Sequence, residues 1–292
     1  MRVLLVLLSV MLLPLPLSAA EKLNVVTSFS VLADLTQQVG GANVQVVNLA
    51  GADHDPATYQ ASAEDARRVG KARLVIENGL GLEPWLDPLV ARAGATLRVV
   101  IASKGATPRP FDPEGKTAPN AYAWNSIANA ELYADNIASA LIAIDPNNAR
   151  VYATNARNYA RQVHLVMAQT KARFATLALD GRHILLASEA ARYLGHPYIL
   201  DIEVAKGLPT DRELNADEVN ALISQIKQNK TNAVFLDTLK DPASRQKVIE
   251  QTGVRIGGPL RTQALAGSGP ASTYLGAYQA NMDTLFNALQ KP

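Results

Sequence analysis

Residues 148–177 read NARVYATNARNYARQVHLVMAQTKARFATL, about 30 residues without Gly or Pro. The apolar side chains that approximate a helical stripe in this stretch are Val151, Ala156, Tyr159, Val163 and Val166. At 1.5 Å per residue, one helix of this length spans roughly 45 Å, enough to cross a protein of two lobes. Two shorter helices in one bundle are the alternative, since Asn155 and Asn158 are weak helix formers.

Strand-like and helix-like segments alternate on both sides of this stretch. The predicted strands are 23–26, 44–49, 73–77, 97–102, 183–187, 198–204, 232–237 and 254–256. The predicted helices are 31–39, 63–69, 83–93, 126–144, 216–227, 243–252 and 273–289. This alternation predicts an α/β protein with mostly parallel sheets, flanking helices, and loops gathered at the carboxyl ends of the strands.

The amino terminus has the pattern of a secretory signal peptide over residues 1–20. Arg2 precedes an apolar run over 3–17, and small residues at 18–20 offer a cleavage site before Glu21. We expect an exported, periplasmic protein. The chain has no Cys, so we expect neither a disulfide nor a lipid-accepting Cys, and therefore no membrane anchor.

Composition excludes several function classes. The formal net charge is +2 and 18% of residues are charged, without a basic stripe, so we expect no nucleic-acid partner. No nucleophile elbow, Walker loop or H-E-x-x-H motif occurs, so we expect no enzyme. A mature chain of about 270 residues predicts two domains, and we expect a monomer.

Four segments together resemble the metal-type family of periplasmic solute-binding proteins, which deliver zinc, manganese or iron(II) to ABC importers. They are 51–60 (GADHDPATYQ), 120–130 (NAYAWNSIANA), 188–194 (SEAARYL) and 258–267 (GPLRTQALAG). Two further segments, 77–85 (ENGLGLEPW) and 269–275 (GPASTYL), match in the same order. The resemblance implies a membrane permease as partner and a binding site in the cleft between two lobes. It also implies an N-terminal lobe over 21–146, one linking helix over 147–177 and a C-terminal lobe over 178–292.

Three of the family's four metal-ligand positions are substituted in this chain. Ala57 and Tyr122 stand at the two His positions, and Gln263 stands at the final Asp position. Only Glu189 is a residue that the family itself uses, in its manganese and iron branch, so Glu189 is the one predicted metal ligand.

Two of the substituted positions, Ala57 and Tyr122, have two interpretations each. Ala57 leaves room for a bulkier ligand, or it is a position relaxed after loss of function. Tyr122 forms a polar pocket wall or, as a phenolate, binds iron(III). Gln263 offers only a carbonyl lone pair. Arg192 follows Glu189 by three residues and would contact ligand or form a structural ion pair. We predict Ala57, Tyr122, Glu189, Arg192 and Gln263 as the substrate-binding residues.

One anionic and two neutral polar groups are a poor cage for a free dication. Nearby groups that would complete it are Asp53, His54, Asp55 and Asp237. The sequence therefore favours a metal chelate, such as a ferric siderophore, as the ligand. No cofactor is established by the sequence; the candidate is a transition metal, iron or manganese, free or chelated. Direct binding of manganese(II) or iron(II) is one alternative. A degenerate paralogue that acts as a partner or scaffold is the other.

Overall fold

Two four-stranded parallel sheets form the framework of the protein, and a computed structural model describes it over residues 22–94, 97–111, 118–209, 212–236 and 238–290. The predicted signal peptide lies outside the described residues. The strands are β1 (Leu23–Phe29), β2 (Val44–Ala50), β3 (Leu74–Glu77), β4 (Arg98–Ile101), β5 (Pro110–Phe111), β6 (Ala118–Pro119), β7 (His183–Leu186), β8 (Asp201–Val204), β9 (Ala233–Phe235) and β10 (Arg255–Ile256). The first sheet has the order β2-β1-β3-β4 and the second has the order β10-β9-β7-β8. The two-residue strands β5 and β6 pair antiparallel.

Helices connect and cover both sheets, as the alternating pattern predicts. They are α1 (Ser30–Gly40), α2 (Ala63–Gly70), α3 (Asp87–Ala93), α4 (Ile127–Ile144), α5 (Ala149–Phe174), α6 (Ala216–Asn229), α7 (Pro242–Thr252) and α8 (Tyr274–Leu289). The predicted α/β class with two parallel sheets is confirmed. No helix in the described ranges has the length and apolar character that a bilayer crossing needs.

The stretch 148–177 forms one helix, α5, and not two. Its 26 residues span about 39 Å. Its buried face carries Tyr152, Ala156, Tyr159, Val163, Val166, Thr170 and Phe174. The predicted stripe was wrong at its first position, because Val151 is 42% exposed and Tyr152 is buried instead. The phenol of Tyr152 donates a hydrogen bond to Asp145 at 2.6 Å, so this larger residue can face inward with its polar end satisfied.

Aromatic packing joins α5 to the second half of the chain. The ring of Phe174 stacks on Tyr198 and meets Phe286 of α8 edge to face, both at centroid distances of 5.4 Å. These side chains belong to a core cluster that also includes Val25 and Phe29 of β1. One continuous core therefore extends from the first sheet through α5 to the second sheet.

Two predicted elements begin three or more residues away from their start in the structure. Helix α3 begins at Asp87 and not at residue 83, because Pro88 suits the first turn of a helix while Glu83 turns back towards preceding backbone amides. Strand β8 begins at Asp201 and not at residue 198. Residues Glu189–Tyr198 form 3-10 turns, and Ile199 then ends them in the left-handed region at φ 55°.

The loop after β2 is fixed by side chains on both sides of it. Trp85 donates its indole N–H to the carbonyl of Pro56 at 2.7 Å, and its ring meets Tyr59 edge to face. Tyr59 in turn donates to Asp65, which completes a capping box with Ser62 at the start of α2. These contacts hold residues 51–62 at the carboxyl end of the first sheet.

Candidate functional site

Four loop segments meet where the two sheets face each other, and we call the space between them the crevice. Residues 51–62 follow β2, and residues 120–126 precede α4. Residues 187–192 follow β7, and residues 257–267 follow β10. Ligand sites in open α/β sheets lie outside the carboxyl ends of parallel strands, so this is the place where a binding site is expected.

Asp55 is the residue on which three of the predicted positions converge. Its Oδ2 accepts a hydrogen bond from Nε2 of Gln263 at 2.8 Å, and its Oδ1 accepts one from the backbone N–H of Ala57 at 2.9 Å. The hydroxyl of Tyr122 lies 3.5 Å from the same Oδ1. Because a carboxylate only accepts hydrogen bonds, the NH₂ group of Gln263 must face Asp55. The amide oxygen is then the group that Gln263 has left to offer a cation.

Tyr122 forms a half-buried wall of the crevice beside Trp124, with ring centroids 5.2 Å apart. Burial, together with the negative charge of Asp55, raises the pKa of its phenol to about 12. The phenol is therefore protonated at neutral pH and acts as a hydrogen-bond donor. This geometry favours the pocket-wall interpretation of Tyr122 over the phenolate one.

Glu189 lies at the start of the 3-10 turns, with its carboxylate beside Arg192. Its Oε2 is buried and has no hydrogen bond, and it lies 3.4 Å from Nε of Arg192. Burial raises the pKa of Glu189, and the charge of Arg192 partly opposes that shift. In 3-10 geometry residues i and i+3 lie on one side, which explains why Arg192 reaches Glu189. Oε2 therefore has lone pairs with which Glu189 can still bind a ligand.

A second bridge crosses the crevice next to Asp55. Arg261 donates to Oδ1 of Asp53 at 2.5 Å, and the backbone N–H of Gly267 donates to Oδ2 of Asp53 at 3.2 Å. The backbone N–H of Asp53 donates to the carbonyl of Leu265 at 2.9 Å. The hydrogen bond from Arg261 is the main reason why the pKa of Asp53 is lowered. Asp53 is therefore committed to the bridge and is not a free metal ligand.

Of the remaining proposed helpers, the structure describes His54, and this residue does not complete a metal cage. His54 turns Nδ1 towards the carbonyl of Ala52 at 2.8 Å, and Asp237 lies outside the described residues. Across the described ranges, no group of three or more His, Asp or Glu side chains is arranged to hold a metal ion. An open cavity of about 330 Å³ adjoins the crevice, and its polar lining includes Asp55, Arg261, Gln263, Asn281 and Thr284.

Two asparagines that connect the crevice segments were missed from the sequence. Asn120 donates to the carbonyl of Glu189 at 2.8 Å and accepts from the backbone N–H of Tyr122 at 3.1 Å. Asn125 donates to the carbonyl of Thr262 at 2.8 Å. Both lie in the quoted segment 120–130, but the partners to which they donate, Glu189 and Thr262, are far away in sequence, so spacing alone gave no signal.

Comparison with protein families finds a match over residues 25–288 to the family described as "Zinc-uptake complex component A periplasmic", ZnuA. The match covers nearly the whole described chain. The similarity is therefore to the complete two-sheet protein and not to one half of it.

Individual relatives and solved structures agree with that match. The iron-binding protein YfeA of Yersinia pestis is 30% identical over 277 residues, which cover 92% of this chain and 87% of the relative. The manganese-binding lipoprotein MntA of Halalkalibacterium halodurans is 29% identical over 93% of this chain and 90% of its own length. A manganese-bound periplasmic metal-binding protein from Candidatus Liberibacter asiaticus superposes with a TM-score of 0.79 at 27% identity, covering 92% of this chain and 100% of the other.

Proposed function

The chain belongs to the zinc-uptake component A family, the metal-binding periplasmic solute-binding proteins of ABC importers, and we propose that its cargo is a manganese(II) or iron(II) ion taken up directly in the crevice. The relatives reported above are described as iron-binding, manganese-binding or manganese-bound, and none of their names mentions a chelate. For that reason we prefer the free ion as the ligand over the chelate that the sequence alone favours.

The observation that carries this proposal is the buried Oε2 of Glu189. An oxygen without a hydrogen bond is costly to bury, and a bound cation would satisfy it. Glu189 also stands at the position where the manganese and iron branch of the family has Glu. Arg192 shares this carboxylate at 3.4 Å, so a cation must compete with a guanidinium.

The other donors in the crevice are oxygens as well. Asp55 supplies a carboxylate, Tyr122 a hydroxyl and Gln263 an amide carbonyl. Hard oxygen donors suit manganese(II) and iron(II) better than zinc, which prefers imidazole and thiolate. Two carboxylates neutralise a dication only in part when one is shared with Arg192, so we expect a dissociation constant in the micromolar range, about 8 kcal/mol of binding free energy.

A metal chelate is the second candidate, and two observations favour it. Ala57 is exposed and offers no side-chain donor, which leaves one side of the crevice open. The cavity of about 330 Å³ beside Gln263 offers room at the lower end of the range for small-molecule sites. A chelator brings its own donor atoms, so the protein would need only shape and hydrogen bonds.

Anaerobic isothermal titration separates these candidates. Manganese(II), iron(II) and zinc are titrated into the metal-free protein, and thermal unfolding is followed with each ion and with a ferric siderophore. Saturable binding of manganese(II) or iron(II) at a dissociation constant below about 10 µM supports the ion.

A rise in unfolding temperature with the ferric chelate alone supports the second candidate, because only a ligand of the folded state stabilises it. No response to any ligand contradicts both candidates. That result would favour the degenerate partner or scaffold protein as the remaining hypothesis.

A further inference from the structure

We propose that Glu83 is a positioning residue of the crevice, which in its ionised form fixes the turn at Asn78 and Gly79 and, through that turn, the segment that carries Tyr122. The proposal rests on the proposed function only in so far as Tyr122 lines the ligand site. It adds a dependence on pH, because protonation of Glu83 would change how firmly the Tyr122 segment is held.

Three donors converge on the buried carboxylate of Glu83, which is 5% exposed. Its Oε1 accepts from the hydroxyl of Ser28 and from the backbone N–H of Asn78, both at 2.7 Å. Its Oε2 accepts from the backbone N–H of Gly79 at 3.2 Å. Gly79 has φ 79°, so the turn places consecutive amides towards one carboxylate.

The fully buried side chain of Asn78 connects the turn to the crevice segment by hydrogen bonds. Its Nδ2 donates to the carbonyl of Ala121 at 2.9 Å, and its Oδ1 accepts from the phenol of Tyr133 at 2.5 Å. Ala121 immediately precedes Tyr122. A displacement of the Asn78 turn therefore changes the hydrogen bond that holds the backbone next to the crevice wall.

No cation stabilises the charge of Glu83 within this group of contacts. The groups that face it from the neighbouring elements are Glu77 at the end of β3 and Tyr133 on α4, one acidic and one neutral. Burial raises the pKa of Glu83 to about 7, the charge of Glu77 adds to the shift, and the three hydrogen bonds oppose it.

Protonation of Glu83 changes which hydrogen bonds its carboxyl group can accept. The neutral acid has one hydroxyl donor, and the two backbone amides cannot turn away from it. Ser28 can reverse its hydrogen bond, but Asn78 and Gly79 cannot. The neutral form therefore binds the turn less firmly than the ionised form, and the segment of Tyr122 is fixed above neutral pH and looser below it.

Trp124 reports the position of this segment without any ligand. Its ring lies 5.2 Å from that of Tyr122 and 4.6 Å from that of Phe29, the residue after Ser28. The chain has two tryptophans, so Trp85→Phe leaves Trp124 as the only one. Fluorescence of this variant, free of metal, is recorded from about pH 5 to about pH 9, across the range in which a carboxyl of raised pKa titrates.

We expect a change in Trp124 emission with a midpoint near pH 7, which Glu83→Gln abolishes. Glu77→Gln is the matched control. It removes the neighbouring charge but keeps Glu83, so the transition should persist with a lower midpoint. The amide resonances of Asn78 and Gly79 should titrate with the same midpoint as the fluorescence. A fluorescence transition that survives Glu83→Gln overturns the proposal. So does the absence of a titration of the Asn78 and Gly79 amide resonances in the protein that keeps Trp85.

Manganese(II) affinity provides the second measurement. The segment that carries Tyr122 also includes Asn120, which holds the backbone carbonyl of Glu189. If only the form with this segment fixed is competent, affinity falls about ten-fold from pH 8 to pH 6, in proportion to the competent fraction. Glu83→Gln should remove that ten-fold factor from the pH dependence. If the protein binds neither manganese(II) nor iron(II), the proposed function fails while the Trp124 measurement still decides the role of Glu83.

Discussion

The side-chain amide of Gln263 donates a hydrogen bond to Oδ2 of Asp55 at 2.8 Å and so joins the segment after β10 to the loop after β2. The two residues are 208 positions apart in the chain. Arg261 and Asp53, each two residues earlier, form a parallel bridge. These two side-chain bridges, together with the backbone hydrogen bond from Asp53 to Leu265, connect the two sheets at the place where we propose that the cargo binds.

Replacing Gln263, the neutral hydrogen-bond donor to Asp55, by an anionic residue should increase the affinity of the crevice for a cation. Gln263→Glu has the same shape, but two carboxylates then face each other across the crevice. We expect manganese(II) affinity to rise at least about ten-fold, since each 1.4 kcal/mol gained is a factor of ten. Without metal, the exposed like-charge pair should cost about 1 kcal/mol or less of unfolding free energy. Titration calorimetry measures the first effect and chemical denaturation the second.

The control for this prediction is Gln263→Met, which removes the amide without adding charge and should not increase the manganese(II) affinity. If Gln263→Met increases the affinity as strongly as Gln263→Glu does, charge is not the cause.

Arg192 should restrain the affinity of Glu189 for cations. Arg192→Ala frees the buried Oε2, and we expect several-fold tighter manganese(II) binding. Glu189→Gln should abolish saturable binding, because it removes one of two anionic donors while keeping the size of the side chain. Isothermal titration of both variants at one pH provides the comparison. Retained manganese binding in Glu189→Gln would place the metal site elsewhere.

Tyr122 should contribute little to the binding of a divalent ion. Its pKa of about 12 keeps the phenol protonated at neutral pH. We therefore expect Tyr122→Phe to change manganese(II) affinity by less than about three-fold, the loss of one weak neutral contact. Near-ultraviolet difference spectra of the wild-type protein should show no tyrosinate when manganese is added. A tyrosinate band, lost in Tyr122→Phe, would assign the phenolate role after all.

The carboxyl of Glu83 should make global stability fall as pH rises. Its pKa is about 7 in the folded protein and about 4.5 in the unfolded chain, so the folded state binds more protons between these values. Its stabilising contribution is complete below about pH 4.5 and is lost as pH rises through about 7, on the order of 3 kcal/mol in total. Denaturation of wild type and Glu83→Gln across this range should show that the variant lacks this loss. If the unfolding free energies of the two proteins change with pH in parallel, the pKa of Glu83 is not raised in the folded protein.

Phe174 should be essential for the junction of α5, the 3-10 turns and α8. It is 1% exposed and contacts the rings of Tyr198 and Phe286. We expect Phe174→Ala to cost about 3 to 5 kcal/mol of unfolding free energy, as for other buried Phe truncations. Phe174→Leu, which retains most of the apolar volume, is the matched variant and should cost clearly less. Equal losses would argue against packing as the cause.

Periodicity predicted the fold well because the elements are governed by local patterns. Helix α5 was predicted over 148–177 and occupies Ala149–Phe174, since no Gly or Pro interrupts it. The errors occurred where long-range contacts override local preference. The start of α3 moved to Asp87 because Glu83 binds the amides of Asn78 and Gly79, a contact that helix spacing does not reveal.

The candidate site was less predictable, because its hydrogen bonds join distant segments. Resemblance identified Ala57, Tyr122 and Gln263 as positions of interest. It gave no indication that Asp55 is the side chain they share, since the Gln263 partner is 208 residues away. The pairing of Glu189 with Arg192 was foreseeable from their spacing, because that contact is local.

The parallel bridges from Asp53 and Asp55 have a consequence for how a transporter would tell a loaded carrier from an empty one. Because Arg261 and Gln263 hold the two halves together without a contribution from cargo, we expect binding to change the outline of the protein little. A permease that recognised outline alone would be blocked by empty carriers. Discrimination must then depend on a difference in surface charge or in internal mobility between the two states.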